Sequence, residues 1–459
     1  MGRPAKAAAA PEALLALPTL ELRDRLARGA LSAVALVEAC LARIAATEPE
    51  VQAWAWLDGD HAVAQARTLD ARRQSGAAIG PLHGLPVGLK DIIDTRGIPT
   101  ANGTPIDAGR VPADDAWIVA RLRAAGAVIL GKTVTTECAF LHPGKTRNPW
   151  NTGHTPGGSS QGSAAAVAAG MVPLAVGTQT GGSVIRPAAF CGVVGFKPSF
   201  GLIPRSGILT QSPFLDTVGV FARDVAGAAL LAEVLAGQDA GDEATQPLPM
   251  PRMLEAAQAR PPVTPHLIRV RLPAESEAHP EMTGAMDELT AALGEGCGDL
   301  SLPATFAEAE GERRRINLAE MARHYADHER RGRAQMSPVL SAAIDEGKAV
   351  TARDYLWARD WRGIVNAGLQ QVLSRCDALI CPAAPGPAPE GLGSTGNAVF
   401  NGVWTLAGVP AVTLPVFTSE GGLPMGLQLI GRRGDDARLL RTAAWLSARI
   451  TDLQGKETA

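Results

Sequence analysis

Apolar residues recur at helical spacing from Leu14 to Thr47. Thr19, followed by Glu21 and Leu22, opens one helix, and Ser32 opens the next, which runs to Ala45. Val51 to Leu57 alternates and predicts a strand, and Asp60 to Ser75 is a polar-faced helix. The run Leu85-Pro86-Val87-Gly88-Leu89-Lys90-Asp91 is apolar until it meets a lysine, so Lys90 closes a strand-like segment. A helix over 114–125 precedes a strand over 127–130. Ala164 to Gly170 reads as a tightly packed helix of small residues ended by glycine, and Val172 to Val176 as a buried strand. Residues 201–219, punctuated by Pro204, Gly207 and Pro213, predict a covering loop before a helix over 223–235. Residues 237–265 form an exposed excursion, 266–272 a strand, 281–293 a helix, and 305–375 a mostly helical, highly charged stretch. Strands over 377–381, 411–416 and 426–430 and a last helix over 435–449 complete the chain. Strands separated by helices predict an α/β layered fold with a mixed sheet.

Composition narrows the function. The 459 residues are 46% hydrophobic and 19% charged, enough for a large core. Net charge is −3 and pI about 6.3, which gives no basic footprint for nucleic acid. The expected partner is a small-molecule substrate, with no nucleic acid and no membrane. Cys40, Cys138, Cys191, Cys297, Cys376 and Cys381 lack metal or disulfide spacing, which suggests reduced thiols in a cytoplasmic protein and no metal or cofactor. No window holds 18 uninterrupted apolar residues. Residues 1–12 predict a disordered tail.

Two Gly/Ser loops carry the chemistry: Gly157-Gly158-Ser159-Ser160-Gln161-Gly162-Ser163 and Gly177-Thr178-Gln179-Thr180-Gly181-Gly182-Ser183. They flank the small-residue helix and the buried strand. Glycines let backbone N–H groups approach a ligand, and a serine among such groups is suited to attack a carbonyl while they receive the oxyanion. A lysine held against apolar neighbours can lose its charge and act as base, and Lys90 is so placed. Gly126-Ala127-Val128-Ile129-Leu130-Gly131-Lys132-Thr133 matches a phosphate-loop pattern literally, but its middle residues read as the strand itself, so phosphate binding is not expected. His324 and His328 stand at i, i+4 spacing, yet Arg323, Glu329 and Arg330 mark a solvated face rather than a metal site. Asp216 either orients a polar network or stabilises a turn.

On these residues the chain resembles the amidase signature family. The two loops, the block Ala188-Ala189-Phe190-Cys191-Gly192-Val193-Val194-Gly195-Phe196-Lys197-Pro198 and the C-terminal segments Pro410–Pro415 and Gly422–Gly431 carry the resemblance. It implies Ser183 as nucleophile, Ser159 as bridging serine after a cis peptide, and Lys90 as base. It also implies an oxyanion hole from the N–H groups of Thr180, Gly181, Gly182 and Ser183. The implied architecture is one large α/β/α domain over 13–455 with about eleven strands, the stretch 237–375 forming a helical layer, in a possible homodimer. Gln179 stands where many members have aspartate, and the run Gly177 to Pro187, which includes Ser183-Val184-Ile185-Arg186-Pro187, is most similar to malonamidases. In that pattern Arg186 faces a substrate carboxylate; its other reading is an ion pair with an internal acid.

The expected activity is hydrolysis of a small amide through a serine acyl-enzyme, its substrate a short acid-bearing amide such as malonamate. One alternative is the amide-cleaving component of a tRNA-dependent amidotransferase, which takes ammonia from glutamine. Another is a catalytically silent binding subunit, which retention of all three catalytic residues opposes.

Overall fold

The computed structural model describes residues 11–457. One α/β domain is built on an eleven-stranded mixed sheet. Its strands are β1 (Trp54–Leu57), β2 (Pro86–Lys90), β3 (Val128–Thr133), β4 (Leu174–Gln179), β5 (Val194–Lys197), β6 (Thr217–Ala222), β7 (Leu267–Arg271), β8 (Cys297–Ser301), β9 (Ala378–Pro382), β10 (Ala411–Thr418) and β11 (Pro424–Ile430). They lie in the order β1-β3-β2-β4-β6-β5-β10-β11-β9-β7-β8. Two parallel blocks, β3-β2-β4 and β9-β7-β8, are joined through antiparallel pairings.

Strands β2, β3, β4, β6, β9 and β11 are buried along their whole length. A sheet covered on both faces asks for apolar residues on both, which is why these segments read as continuous runs rather than alternations. The small-residue helix Gln161–Ala168 lies so close to the sheet that a Cβ on Gly162 would stand 2.2 Å from the Ala53 carbonyl oxygen. Alanines and glycine are therefore what lets this helix reach its place.

Several expectations change. The helix opened by Ser32 spans Ala33–Val51, past the predicted end at Ala45, so only Trp54–Leu57 is strand. Strands β5, β6 and β8 were not read from the sequence. The first has four residues, the second follows the Pro/Gly-rich loop directly, and the third is a polar edge strand with no fully buried position. Within the stretch 237–375, β7 stands where a strand was expected over 266–272, and β8 adds a second strand at the sheet's edge. Most of the proposed tail lies outside the described residues, while Pro11 and Glu12 already belong to the helix Pro11–Leu15.

Helices Thr305–His324 and Pro338–Lys348 pack on a separate cluster that includes Leu318, Met321, Tyr325, Leu340 and Ile344. The cluster reaches the main body through Cys138, whose carbonyl accepts a 2.7 Å hydrogen bond from the Tyr325 hydroxyl. Among the described residues no helix is long and apolar enough to cross a membrane.

Candidate active site

Strands β2 and β4 are parallel neighbours with Leu89 opposite Val176, so the end of β2 falls level with Gly177 and β4 runs two residues further. That register sets Lys90, the last residue of β2, beside Thr178. The Lys90 amine is fully buried, 2.7 Å from Ser159 Oγ and 2.9 Å from Thr178 Oγ1. It has no carboxylate in salt-bridge contact among the described residues. Burial draws its pKa down to about 7, against the opposing pull of Asp216. The Gly158–Ser159 peptide bond is cis.

The neighbouring serines are otherwise engaged. Ser160 Oγ donates to the Thr178 carbonyl at 3.2 Å, and Ser163 Oγ to the Val176 carbonyl at 3.0 Å; both residues are fully buried. Ser183 is half-buried, and its hydroxyl makes no hydrogen bond within the described residues.

The loop that carries Ser183 is braced from several sides. Gln179 Oε1 accepts from the Val184 and Ile185 N–H groups at 2.9 and 3.0 Å, and its amide donates to Thr405 Oγ1 at 3.0 Å. A neutral amide here does with its oxygen what a carboxylate does at a helix start, and its NH2 group adds a tie a carboxylate lacks. Thr405 Oγ1 donates in turn to the Gly181 carbonyl at 2.8 Å, and Arg313 Nη1 to the Thr180 carbonyl at 3.4 Å. A Cβ on Gly182 would lie 2.5 Å from Asn401 Oδ1, so only glycine fits the loop at that point. The N–H groups of Gly181, Gly182 and Ser183 donate to nothing else in the described chain, which leaves them free for an oxyanion.

Asp216 belongs to this bracing. It accepts from Thr180 Oγ1 at 2.6 Å and from the Gln211 and Ser212 N–H groups, both at 2.8 Å. Burial pushes its carboxyl up to about 6, while the Thr180 hydroxyl, the Ser212 N–H and Arg205 pull the other way. Both sequence readings of Asp216, network and turn, describe part of what it does.

Arg186 is buried. Its Nη2 donates to the Gly158 carbonyl at 2.7 Å and to Thr395 Oγ1 at 3.1 Å. No carboxylate pairs with it among the described residues, so the internal-acid reading finds no acid. The guanidinium instead grips the carbonyl of the cis peptide that presents Ser159. Burial and the nearby Arg313 lower its pKa to about 10. Thr178 and the pairing of Thr180 with Asp216 were not singled out from sequence; their signal was position inside the second Gly/Ser loop.

The phosphate-loop look-alike is strand β3, and its Lys132 is buried against the Ile93 carbonyl and Thr100 Oγ1 at 2.7 and 2.6 Å, with Asp91 3.3 Å away. His328 Nε2 lies 2.8 Å from Asp107 Oδ2, and no metal-holding group of three or more His, Cys, Asp or Glu side chains occurs among the described residues.

A cavity of about 920 Å³ opens beside the site. It reaches Thr178, Thr180 and Asp216, and the helical insertion contributes Arg323, Tyr355 and Arg359 to its wall. Its size suits a small organic substrate.

A family model described as Amidase matches residues 35–440. The A-type subunit of glutamyl-tRNA(Gln) amidotransferase from Chloroflexus aggregans (strain MD-66 / DSM 9485) is 37% identical over 93% of this chain and 95% of its own. A solved structure described as an unexpected vestigial protein complex, revealing the evolutionary origins of an s-triazine catabolic enzyme, superposes with a TM-score of 0.88. Its identity is 29%, covering 94% of this chain and 98% of that one. Native peptide amidase from Stenotrophomonas maltophilia superposes with a TM-score of 0.81 at 29% identity, over 95% and 97%. These likenesses overturn one expectation, that of an enzyme with only a small-molecule partner and no nucleic acid. The relatives that match nearly end to end are named as subunits, and as acting on a charged tRNA. Net charge was a poor guide because it averages a whole surface and says nothing of what a complex contacts. The likenesses also dispose of a catalytically silent subunit. This chain belongs to the amidase signature family, enzymes that act on amide C–N bonds.

Proposed function

We propose that the chain is the amide-cleaving subunit of an amidotransferase-type assembly, releasing ammonia from glutamine through an acyl-enzyme on Ser183. The observation that carries this reading is the buried Lys90–Ser159 contact beside a glycine-rich loop, in a chain alignable over most of its length with amidotransferase relatives. Neutral Lys90 takes a proton from Ser159, which takes one from Ser183. Ser183 attacks the amide carbonyl, and the N–H groups of Thr180, Gly181, Gly182 and Ser183 receive the oxyanion. Each such donor is worth about 3–4 kcal/mol to the transition state. Ammonia leaves with a proton returned along the relay, and water hydrolyses the ester.

An exposed apolar stripe on helix Ala352–Leu373, formed by Leu356, Trp357 and Ile364, supports a life in a complex. Hydrolysis of a small amide, with a half-amide such as malonamate as substrate, is the same chemistry on another acyl group. Its distinguishing argument was Arg186 as a carboxylate clamp, and the bonds from Arg186 to Gly158 and Thr395 weaken it.

The test measures ammonia release from glutamine and from a panel of short amides, with the chain alone and with whatever co-purifies from its native extract. Ammonia from glutamine that rises when the co-purifying protein and glutamyl-tRNA are present is the expected result. Fast turnover of another amide by the isolated chain, with glutamine inert under every condition, would sink the amidotransferase reading.

A further inference from the structure

Beyond the amide-cleaving site, the far side of Phe214 holds an open groove of about 680 Å³. Its wall includes Arg359, Arg362, Arg432 and Arg433, and Asp360 is the only carboxylate among its lining residues. None of the four guanidinium groups is in an ion pair with a carboxylate among the described residues. Two of them are gathered on one ring: the Arg362 and Arg359 guanidinium carbons lie 3.7 and 4.8 Å from the Phe214 centroid. Arg362 spends its donors on the Leu406 carbonyl at 2.8 Å and on the Phe214 carbonyl, and Arg432 Nη2 reaches the Leu373 carbonyl at 3.1 Å. Arg433 makes no hydrogen bond within the described residues.

Such a gathering is electrostatically incomplete. Burial lowers Arg362 to about 9, and Arg433, Arg359 and Arg205 add repulsion that Glu320 only partly offsets. Like charges drawn together in a partly dehydrated groove repel unless an anion lies between them. Ring faces and backbone carbonyls hold the guanidinium groups in place but do not neutralise them.

We propose that this groove is an oxyanion site that takes a phosphoryl group. A tetrahedral phosphate offers several oxygens in different directions, which suits several arginines lining one groove better than the two coplanar oxygens of a carboxylate. The phosphoryl group is either that of a free phosphate compound or the diester of a nucleic-acid backbone.

The probes are inorganic phosphate and a dinucleotide, titrated into the full chain by calorimetry at constant ionic strength, with chloride and acetate as controls. Saturable binding of phosphate or the dinucleotide, with chloride and acetate silent, is the expected result. The tighter of the two tells a free phosphate compound from a diester backbone. Arg433→Gln and Arg432→Gln should each weaken binding about tenfold, as loss of one charge-assisted contact predicts. Both variants should keep amide-hydrolysing activity, which reports an intact fold. Binding no stronger than that of chloride, acetate binding as well as phosphate, or variants that bind like the parent would each overturn the proposal.

Discussion

Thr178 on β4 and Lys90 on β2 are 88 residues apart in the chain and 2.9 Å apart in space. A neutral amine has two N–H groups and one lone pair. If Thr178 Oγ1 accepts one N–H, the amine can no longer spin freely, and one of its two remaining positions, the second N–H or the lone pair, faces Ser159, 2.7 Å away. The parallel register of two strands thus places the amine between Thr178 and Ser159, where the proposed relay would use it.

Ser183→Ala should lower amide hydrolysis by up to about a millionfold, the scale seen when a serine nucleophile is removed. The fold should survive, since the side chain is half-buried and its hydroxyl supports no neighbour. Mass spectrometry after an electrophilic amide-directed probe checks the assignment. Label on Ser160 or Ser163 instead would refute it.

Activity should rise with pH through about 7, where buried Lys90 gives up its proton, and level off above. The sign follows from the role: protonated lysine has no lone pair to accept from Ser159, so the acid side is the inactive side. Lys90→Met should remove about 10²–10⁴-fold of the rate. A pH–rate profile of kcat flat between pH 6 and 9 in the parent protein would argue for another base.

Asp216→Asn should act twice. Loss of the carboxylate that Thr180 and two N–H groups donate to should loosen the oxyanion loop and lower kcat about 10- to 100-fold. Asp216 also raises the pKa of Lys90, so its neutralisation should move the rising limb of the pH profile to lower pH. A drop in rate with an unmoved limb would separate the two effects and leave only the first.

Arg186→Gln should slow acid-bearing and neutral amides by the same factor, about tenfold or more, because the guanidinium holds the Gly158 carbonyl rather than a substrate. Paired kinetics with a half-amide and its neutral isostere measure this. A selective loss for the acid-bearing substrate would restore the carboxylate clamp.

Lys90 at the end of its strand and the two Gly/Ser loops were legible in sequence because an apolar run closed by a lysine, and glycine clusters broken by packed small residues, have few structural explanations. The positions of β2, β3, β4 and β9 were legible because burial on both faces writes itself as an apolar run. Strands β5 and β6 were not: the first is only four residues long, and the start of the second fell inside the covering loop expected over 201–219. The eleven-stranded sheet was expected only through the family resemblance. The direction of Arg186 was not legible, since a sequence gives its distance along the chain from Ser183 but not which of several nearby carbonyls and hydroxyls it meets. The complex-forming relatives were invisible to composition for a similar reason: charge totals contain no geometry.

Helix Thr305–His324 does more than wall the cavity. Its Glu320 accepts from Ser212 Oγ and, at 3.1 Å, from the Phe214 N–H, while its Arg313 reaches the Thr180 carbonyl. The helix that walls the cavity is therefore also tied to the 201–219 loop and to the Gly/Ser loop at Thr180. In this chain, therefore, the helix is not a cassette that can be exchanged without consequence. A grafted insertion lacking equivalents of Arg313 and Glu320 would carry a new pocket and lose its engine, so substrate range and catalytic competence are inherited together.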